Sequence, residues 1–338
     1  MPKAELHLHL DGSLLVETAL VLARTRDVDA PRTADGMRRA LVAPERCGSH
    51  AELLRAFDLP IALLQDADAL ARASADLVTA KAADGVRYLE IRWGPLLHTR
   101  GGLPLEDGIA AVIDAGRAAA ERAGATVRFI CTALRSHEPA DNVRLAEAAA
   151  AFVDRGLVAF DLAGPEEAFP DPLSHAAAFD AARAAGLRIT IHAGEWGGAA
   201  QVRRSLAVEP ERIAHGSGVV DDATLLRELI DRGIALDLCP TSNVQAGIVP
   251  SVADHPLAAL HRAGVAVTLS TDDLTVSDLT LSEEYARALG EIGLTLAELW
   301  AIDRRALEVA FGATSDLIPL RSSFDAWASA QPGLSGPV

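Results

Sequence analysis

The chain has 338 residues, is 50% hydrophobic, and carries 31 basic against 47 acidic side chains, a formal net charge of −16 at pH 7. This length suits two domains or one large α/β barrel, and the hydrophobic content is ample for a sizeable core. The acidic balance argues against a nucleic-acid backbone or an anionic membrane as the main partner, but it does not exclude an uncharged nucleoside.

The cysteines are few and far apart, namely Cys47, Cys131 and Cys239. Their number and spacing indicate neither a disulfide framework nor a CxxC zinc site, which fits a reducing compartment. The first strand begins at about residue four and leaves no room for a signal peptide. No apolar run approaches the roughly 20 residues of a membrane span. We therefore expect a cytoplasmic protein without a membrane partner.

The first predicted strand holds two histidines at alternate positions, His7 and His9. Leucines alternate with polar residues from Ala4 to Asp11, and strand side chains alternate between faces. Both imidazoles should therefore point the same way, where they could bind one metal ion. The alternative is an amphipathic edge strand whose polar face is only wetted, because so short a motif often occurs by chance.

Helical and strand patterns alternate along the rest of the chain. We predict helices over residues 14–26, 51–58, 67–84, 105–123, 142–155, 173–186, 202–206, 221–232, 256–263 and 282–312. We predict seven further strands over residues 86–93, 126–131, 157–162, 187–192, 212–216, 234–239 and 265–271.

Eight strands alternating with helices are typical of an α/β protein built as one (β/α)8 TIM barrel. No linker rich in proline, glycine or serine divides the chain. We therefore expect a single domain over residues 1–329, with extra lid helices near its N-terminus and extra C-terminal helices. A loose tail should follow over residues 330–338, which contain two prolines and two glycines.

Residues able to bind metal or move protons follow several predicted strands, at the barrel end where such enzymes carry their active sites. They are His7, His9, Asp11, His192, Glu195, His215, Asp272 and Asp273. Three imidazoles and a carboxylate, from His7, His9, His192 and Asp272, suit one zinc ion and leave room for water. Zinc lowers the pKa of that water to about 7, so hydroxide is available at neutral pH. His215 and Glu195 remain for proton transfer, which predicts hydrolytic attack at a carbon. We also expect Glu5 to point into the barrel beneath His7.

Several stretches resemble the adenosine deaminase family of metal-dependent hydrolase barrels, over about residues 3–310. They are His7–Gly12, Asp161–Gly164, His192–Glu195, Arg212–Gly216, Cys239–Asn243 and Ser270–Asp273, in the order of the family. The resemblance implies one zinc ion per chain on the four ligands already named.

The resemblance also implies roles in deaminating a 6-aminopurine. His215 would orient and deprotonate the attacking water, and Glu195 would protonate ring nitrogen N1. Asp273 would hydrogen-bond N7, and the Gly164 N–H would meet N3. Glu195 must then hold a proton near neutral pH, so we predict that burial raises its pKa.

The substrate implied is a small purine nucleoside. Asp11 resembles the aspartate that binds the ribose 5′-hydroxyl in nucleoside-specific members, whereas members acting on the free base tend to carry glutamate there. Leu53, Leu54 and Phe57 resemble the apolar lid over the sugar, and we place His9 among the substrate contacts. Adenosine or 2′-deoxyadenosine is favoured, and a bare carboxylate would repel the phosphate of AMP. Adenine and modified nucleosides, such as aminodeoxyfutalosine or an N6-substituted adenosine, remain alternatives.

Four residues depart from the family pattern: Ala214, Trp196, Ser270 and Leu274. None is a predicted zinc ligand. Trp196 follows Glu195, where a smaller residue is common, and two interpretations are open. It packs on the rim of the pocket, or it narrows the pocket and stacks on the substrate.

Two other kinds of protein compete with this interpretation. A two-metal barrel hydrolase bridged by a carbamylated lysine, commonly at the end of strand four, is disfavoured because the only lysines are Lys3 and Lys81. A zinc barrel that binds a purine without turnover would not need Glu195, His215 or Asp273.

Overall fold

The computed structural model describes residues 1–332 and 334, without the side chain of His50. Eight parallel strands pair in chain order, and a bridge between Leu8 and Asp272 brings the last strand to the first. The strands are β1 Lys3–His9, β2 Val86–Trp93, β3 Thr126–Leu134, β4 Leu157–Ala163, β5 Arg188–Ala193, β6 Arg212–His215, β7 Ala235–Leu238 and β8 Val267–Leu269. The predicted (β/α)8 barrel is confirmed.

Helices surround this barrel and extend both ends of the chain. The α-helices are α1 Val16–Thr25, α2 Ala34–Leu41, α3 His50–Leu54, α4 Asp58–Leu63, α5 Ala67–Ala83, α6 Leu105–Ala123, α7 Pro139–Ala150, α8 Ala176–Ala184, α9 Gly198–Ser205, α10 Ala223–Arg232, α11 Pro240–Gln245, α12 Leu257–Arg262, α13 Leu281–Gly290, α14 Leu296–Val309 and α15 Thr314–Ser329. No helix within the described residues is long and apolar enough to cross a membrane.

Two predicted helices are divided in the structure. The predicted helix over 282–312 is two helices, because Thr295 starts α14 with a capping box in which its hydroxyl accepts the Glu298 N–H. The predicted helix over 51–58 is the end of α3, a short 3-10 turn over Arg55–Phe57 and the start of α4. Together with α2 these short helices lie over the mouth of the barrel, near the site described below.

The C-terminal helices close the opposite end of the barrel. Trp300 and Leu307 of α14 and Phe324 of α15 form one buried cluster with Leu6 and Tyr88 from the starts of β1 and β2. Leu334 joins that cluster, whereas residues 333 and 335–338 of the predicted tail lie outside the described residues. The carboxyl ends of the strands therefore remain the accessible side of the barrel.

A β-bulge in β1 reverses the expected direction of one side chain. Glu5 pairs with Leu89 and Leu8 with Ile91, so two residues of β1 lie opposite the single residue between those partners. The prediction that Glu5 points into the barrel beneath His7 is therefore wrong. Glu5 points outward, and its carboxylate accepts from the backbone N–H and hydroxyl of Thr271.

Glu5 also forms a buried ion pair with Lys81 of α5, whose Nζ lies 2.6 Å from Glu5 Oε2. Both side chains are at most 1% exposed. Removing one partner of a buried pair leaves an uncompensated charge, so we expect Lys81→Met to destabilise the fold by about 3–5 kcal/mol. The midpoint of urea unfolding measures this effect.

The matched control is Arg232→Met, which breaks a half-exposed pair with Glu228 one helical turn away. Pairs of that kind contribute about 0.3–0.5 kcal/mol. Equal losses in the two variants would contradict a stabilising role for the buried pair.

Candidate active site

Four side chains converge at the carboxyl end of the barrel. His7 and His9 come from β1, His192 from β5, and Asp272 from the segment after β8. The Nε2 atoms of His7 and His9 are 3.2 Å apart, and those of His9 and His192 are 3.1 Å apart. Asp272 Oδ1 lies 2.9 Å from His7 Nε2 and 3.4 Å from His9 Nε2.

These spacings fit a tetrahedral zinc ion. Ligand atoms about 2.0–2.1 Å from such an ion lie about 3.3 Å from one another, close to the four distances above. Burial lowers the pKa of His9 to about 4 and holds the pKa of His7 well below its usual value. Both imidazoles are therefore neutral near pH 7, the form that binds metal. The donor set of three imidazoles and one carboxylate also suits zinc.

Asp272 has a strained backbone conformation, and its carboxylate is directed at the imidazoles of His7 and His9. Asp272 has φ +66°, a left-handed conformation that residues with a side chain rarely adopt. Its N–H donates to the carbonyl of His7 and its carbonyl accepts from the N–H of His9. Ser242 Oγ donates to Asp272 Oδ2 over 2.6 Å, which leaves Oδ1 for the imidazoles. Such strain persists only where surrounding contacts hold it, and it is common at active sites.

Asp161, at the carboxyl half of β4, orients His192. Its Oδ2 lies 3.0 Å from His192 Nδ1, so the Nε2 of that ring faces the other ligand atoms. Arg92 and Thr132 contact the same Asp161 oxygen at 3.3 and 3.2 Å. The Asp161–Gly164 stretch was matched to the family by sequence, but the contact of Asp161 with His192 was not predicted. Only the pairing of β4 with β5 brings the two side chains together.

Three further groups lie beside these four side chains. His215 is the last residue of β6, and its Nε2 is 3.8 Å from both Glu195 Oε2 and Asp272 Oδ2. Burial raises the pKa of Glu195 well above its usual value, and the charges of Asp272 and Glu166 raise it further. Burial likewise raises the pKa of Asp273. In both carboxyl groups burial therefore favours the protonated form, which can donate a hydrogen bond or a proton.

Gly12 is required where it stands because Asp273 packs directly on its backbone. A Cβ at position 12 would lie 1.7 Å from Asp273 Oδ1. Any other residue there would displace the Asp273 carboxyl group from the site.

The site opens into a cavity of about 260 Å³. The predicted residues that line it are His9, Asp11, Leu53, Leu54, Phe57, Gly164, His192, Glu195, His215, Asp272 and Asp273. Among the described lining residues there is neither lysine nor arginine. His7 lies behind these residues and is fully buried.

One carboxylate oxygen of Asp11 has no hydrogen-bond donor among the described residues. Its Oδ2 accepts from the Gly94 N–H at 3.4 Å and lies 3.7 Å from His98 Nε2. Its Oδ1 is buried and makes no hydrogen bond among the described residues. A buried acceptor of this kind is costly unless a ligand satisfies it.

Trp196 lies outside the cavity lining. Its ring packs with Phe57 against a cluster that contains Leu53 and Ala56. Its backbone N–H donates to Glu166 Oε2 at 3.1 Å. This position favours packing at the rim over stacking on the substrate. Trp196 would therefore affect substrate binding only through the lid.

Two other polar residues missed by sequence reasoning support the site from α11, a helix that was not predicted. Ser242 contacts Asp272 as described, and Asn243 Nδ2 lies 3.1 Å from His215 Nδ1. Nε2 of His255 lies 3.1 Å from Asn243 Oδ1. The matched Cys239–Asn243 stretch was the one signal that could have pointed to this support.

The model of the family described as Adenosine deaminase matches residues 2–327. A relative from Vibrio atlanticus, named adenosine deaminase, is 34% identical over an alignment of 318 residues, and the alignment covers 92% of this chain and 94% of the relative. The chain belongs to the adenosine deaminase family. It is therefore a hydrolytic deaminase that acts on a C–N bond, and the resemblance seen in the sequence is confirmed.

Solved structures agree with this membership. The chain is similar to adenine deaminase from Arthrobacter aurescens, with a TM-score of 0.90, 25% identity, and coverage of 97% of this chain and 99% of that one. It is also similar to an amidohydrolase from Burkholderia ambifaria with bound zinc, with a TM-score of 0.87, 26% identity, and coverage of 97% and 90%. The family is metal-dependent, in keeping with the four converging ligands.

Proposed function

We propose that this protein hydrolyses adenosine or 2′-deoxyadenosine to the corresponding inosine and ammonia, with one zinc ion held by His7, His9, His192 and Asp272. The observation that carries the proposal is the position of Glu195, whose pKa is raised by burial, 3.8 Å from His215 and beside the four converging side chains. We also propose that residues 1–329 act as one domain, in keeping with one continuous barrel and a family match over residues 2–327.

Zinc bound at these ligands would lower the pKa of a water molecule to about 7 and so supply a nucleophile at neutral pH. Glu195 gives its proton to ring nitrogen N1, which interrupts the conjugation of the ring and makes C6 electrophilic. Asp273, also protonated, donates a hydrogen bond to N7. His215 orients the oxygen that attacks C6. The departing amino group takes the proton that remains on that oxygen, so ammonia leaves as the 6-oxopurine forms, and the proton lost by the water restores Glu195. These roles account for buried carboxyl groups that would otherwise be costly.

The cavity favours a nucleoside over a nucleotide. The Asp11 Oδ1 atom can accept the ribose 5′-hydroxyl. A 5′-phosphate in that place would face a carboxylate with no cationic side chain among the described lining residues. Leu53, Leu54 and Phe57 would cover the sugar.

Asp11→Ala tests the recognition of the 5′-hydroxyl. A hydrogen bond to a charged group contributes about 1.5–3 kcal/mol, so we expect kcat/KM for adenosine to fall about 10- to 100-fold. For 5′-deoxyadenosine, which lacks the hydroxyl, kcat/KM should change little. Equal losses for the two substrates would contradict this role of Asp11.

The overall proposal is tested by a coupled ammonia and ultraviolet assay on zinc-loaded protein. The panel holds adenosine, 2′-deoxyadenosine, adenine, AMP and several 6-substituted purine nucleosides. Turnover of adenosine supports the proposal. Turnover of another aminopurine alone would support the proposed reaction but contradict adenosine as the substrate. Silence on the whole panel with zinc bound would favour a barrel that binds a purine without turnover.

A further inference from the structure

A chain of three hydrogen bonds ends on His215 and begins at a backbone group. The N–H of Leu257, the first residue of α12, donates to His255 Nδ1 over 3.2 Å. A backbone N–H can only donate, so His255 Nδ1 must carry a lone pair. Burial lowers the pKa of His255 to about 3, so this ring is neutral near pH 7. Its single ring proton is therefore on Nε2.

That proton determines the orientation of the next side chain. His255 Nε2 faces Asn243 across 3.1 Å and must donate to the amide oxygen, Oδ1. The reversed amide would set its NH2 group against the Nε2–H. Asn243 is fully buried, so this clash could not be relieved by solvent. The Asn243 NH2 group consequently faces His215 Nδ1, 3.1 Å away.

The last bond determines the tautomer of His215. Because the Asn243 amide can only donate through nitrogen, His215 Nδ1 must accept. We propose that His255 is a positioning residue that acts through Asn243 to hold neutral His215 with its proton on Nε2, facing Glu195 and Asp272.

The position of this proton limits what His215 can do in the reaction, a consequence that rests on the proposed function. A neutral imidazole with Nε2–H donates a hydrogen bond to the attacking oxygen. It cannot take a proton at Nε2 unless its tautomer changes first. The structure thus favours orientation of the nucleophile over the proton abstraction that the family resemblance implies for His215.

The decisive measurement is the tautomer of His215 in the full-length, zinc-loaded protein. Histidine labelled with 15N in both ring positions gives two-bond correlations that distinguish Nε2–H from Nδ1–H. The signals are assigned by their loss in His215→Gln and in His255→Phe. We expect both rings of the wild-type protein as the neutral Nε2–H form. A wild-type His215 with its proton on Nδ1 would overturn the proposal, whatever substrate the enzyme accepts.

Asn243→Asp tests the direction of the relay with an isosteric side chain. A carboxylate can accept from His255 but cannot donate to His215, so we expect His215 to move its proton to Nδ1. We expect kcat to fall about 10- to 100-fold, as for other residues that orient a metal site from outside it, with KM changed less. In His255→Phe, which retains ring volume, we expect a mixture of His215 tautomers. An unchanged His215 signal in either folded variant would show that the relay does not determine its tautomer.

Discussion

Glu195→Gln is expected to lower kcat for adenosine by about 10²- to 10⁴-fold, the usual contribution of a general acid. Glutamine occupies the same space and can hydrogen-bond N1, but it has no acidic proton to give. KM should change much less, because the shape of the cavity is retained. Initial rates of ammonia release measure the effect.

Metal content separates this loss from damage to the site. Glu195 is not among the four converging ligands, so Glu195→Gln should bind as much zinc as the wild-type protein. Glu167→Gln is the matched control, because Glu167 lies on an exposed part of the loop after β4. If Glu195→Gln retained its zinc and more than a tenth of wild-type kcat, Glu195 would not be the general acid.

The barrel and the positions of His7 and His9 follow from local pattern, whereas the direction of Glu5 in β1 does not. Alternation correctly brings His7 and His9 to the same side of the strand. It fails at Glu5 because the bulge lies between Glu5 and His7 and reverses the alternation there. The bulge is held from the segment after β8, since Ser270 Oγ accepts from the N–H of Leu6 and of His7. No pattern within β1 could predict that contact.

Backbone conformation limits sequence reasoning in a similar way at His215. This residue has φ +62°, which local preference assigns to glycine or asparagine. Its ring there lies 3.1 Å from the amide nitrogen of Asn243 on α11. Strand-end position was enough to nominate His215 for the site. Its hydrogen-bond partners, and hence its tautomer, depend on residues at least 28 positions away.

The departures from the family pattern can now be separated by position. Ser270 supports the β1 bulge, and Trp196 packs against the lid cluster. The Leu274 N–H donates to the hydroxyl of Ser13, next to Gly12. Ala214 is fully buried within β6. Trp196 packs against the cluster that contains Leu53, so we expect its effect on substrate preference to act through the lid.

His192→Ala should abolish turnover, because it removes one of four ligands. Without zinc the pKa of water returns from about 7 to 15.7, so we expect kcat to fall by at least about 10³-fold. Zinc content after dialysis should fall in parallel with activity. Circular dichroism and the urea midpoint show whether the barrel remains folded.

Asp161→Asn is the graded counterpart, because Asp161 contacts the ring of His192 and no other ligand ring within hydrogen-bond distance. The amide oxygen of the new asparagine can still accept from His192 Nδ1–H. It carries no negative charge, so it no longer makes the His192 ring a stronger electron donor to zinc. We expect zinc affinity to fall about 10- to 100-fold, and excess zinc to restore most of the activity. Excess zinc should not restore His192→Ala. If excess zinc restored the activity of both variants equally, His192 would not be a zinc ligand. If neither variant lost zinc, the four converging side chains would not be the zinc site.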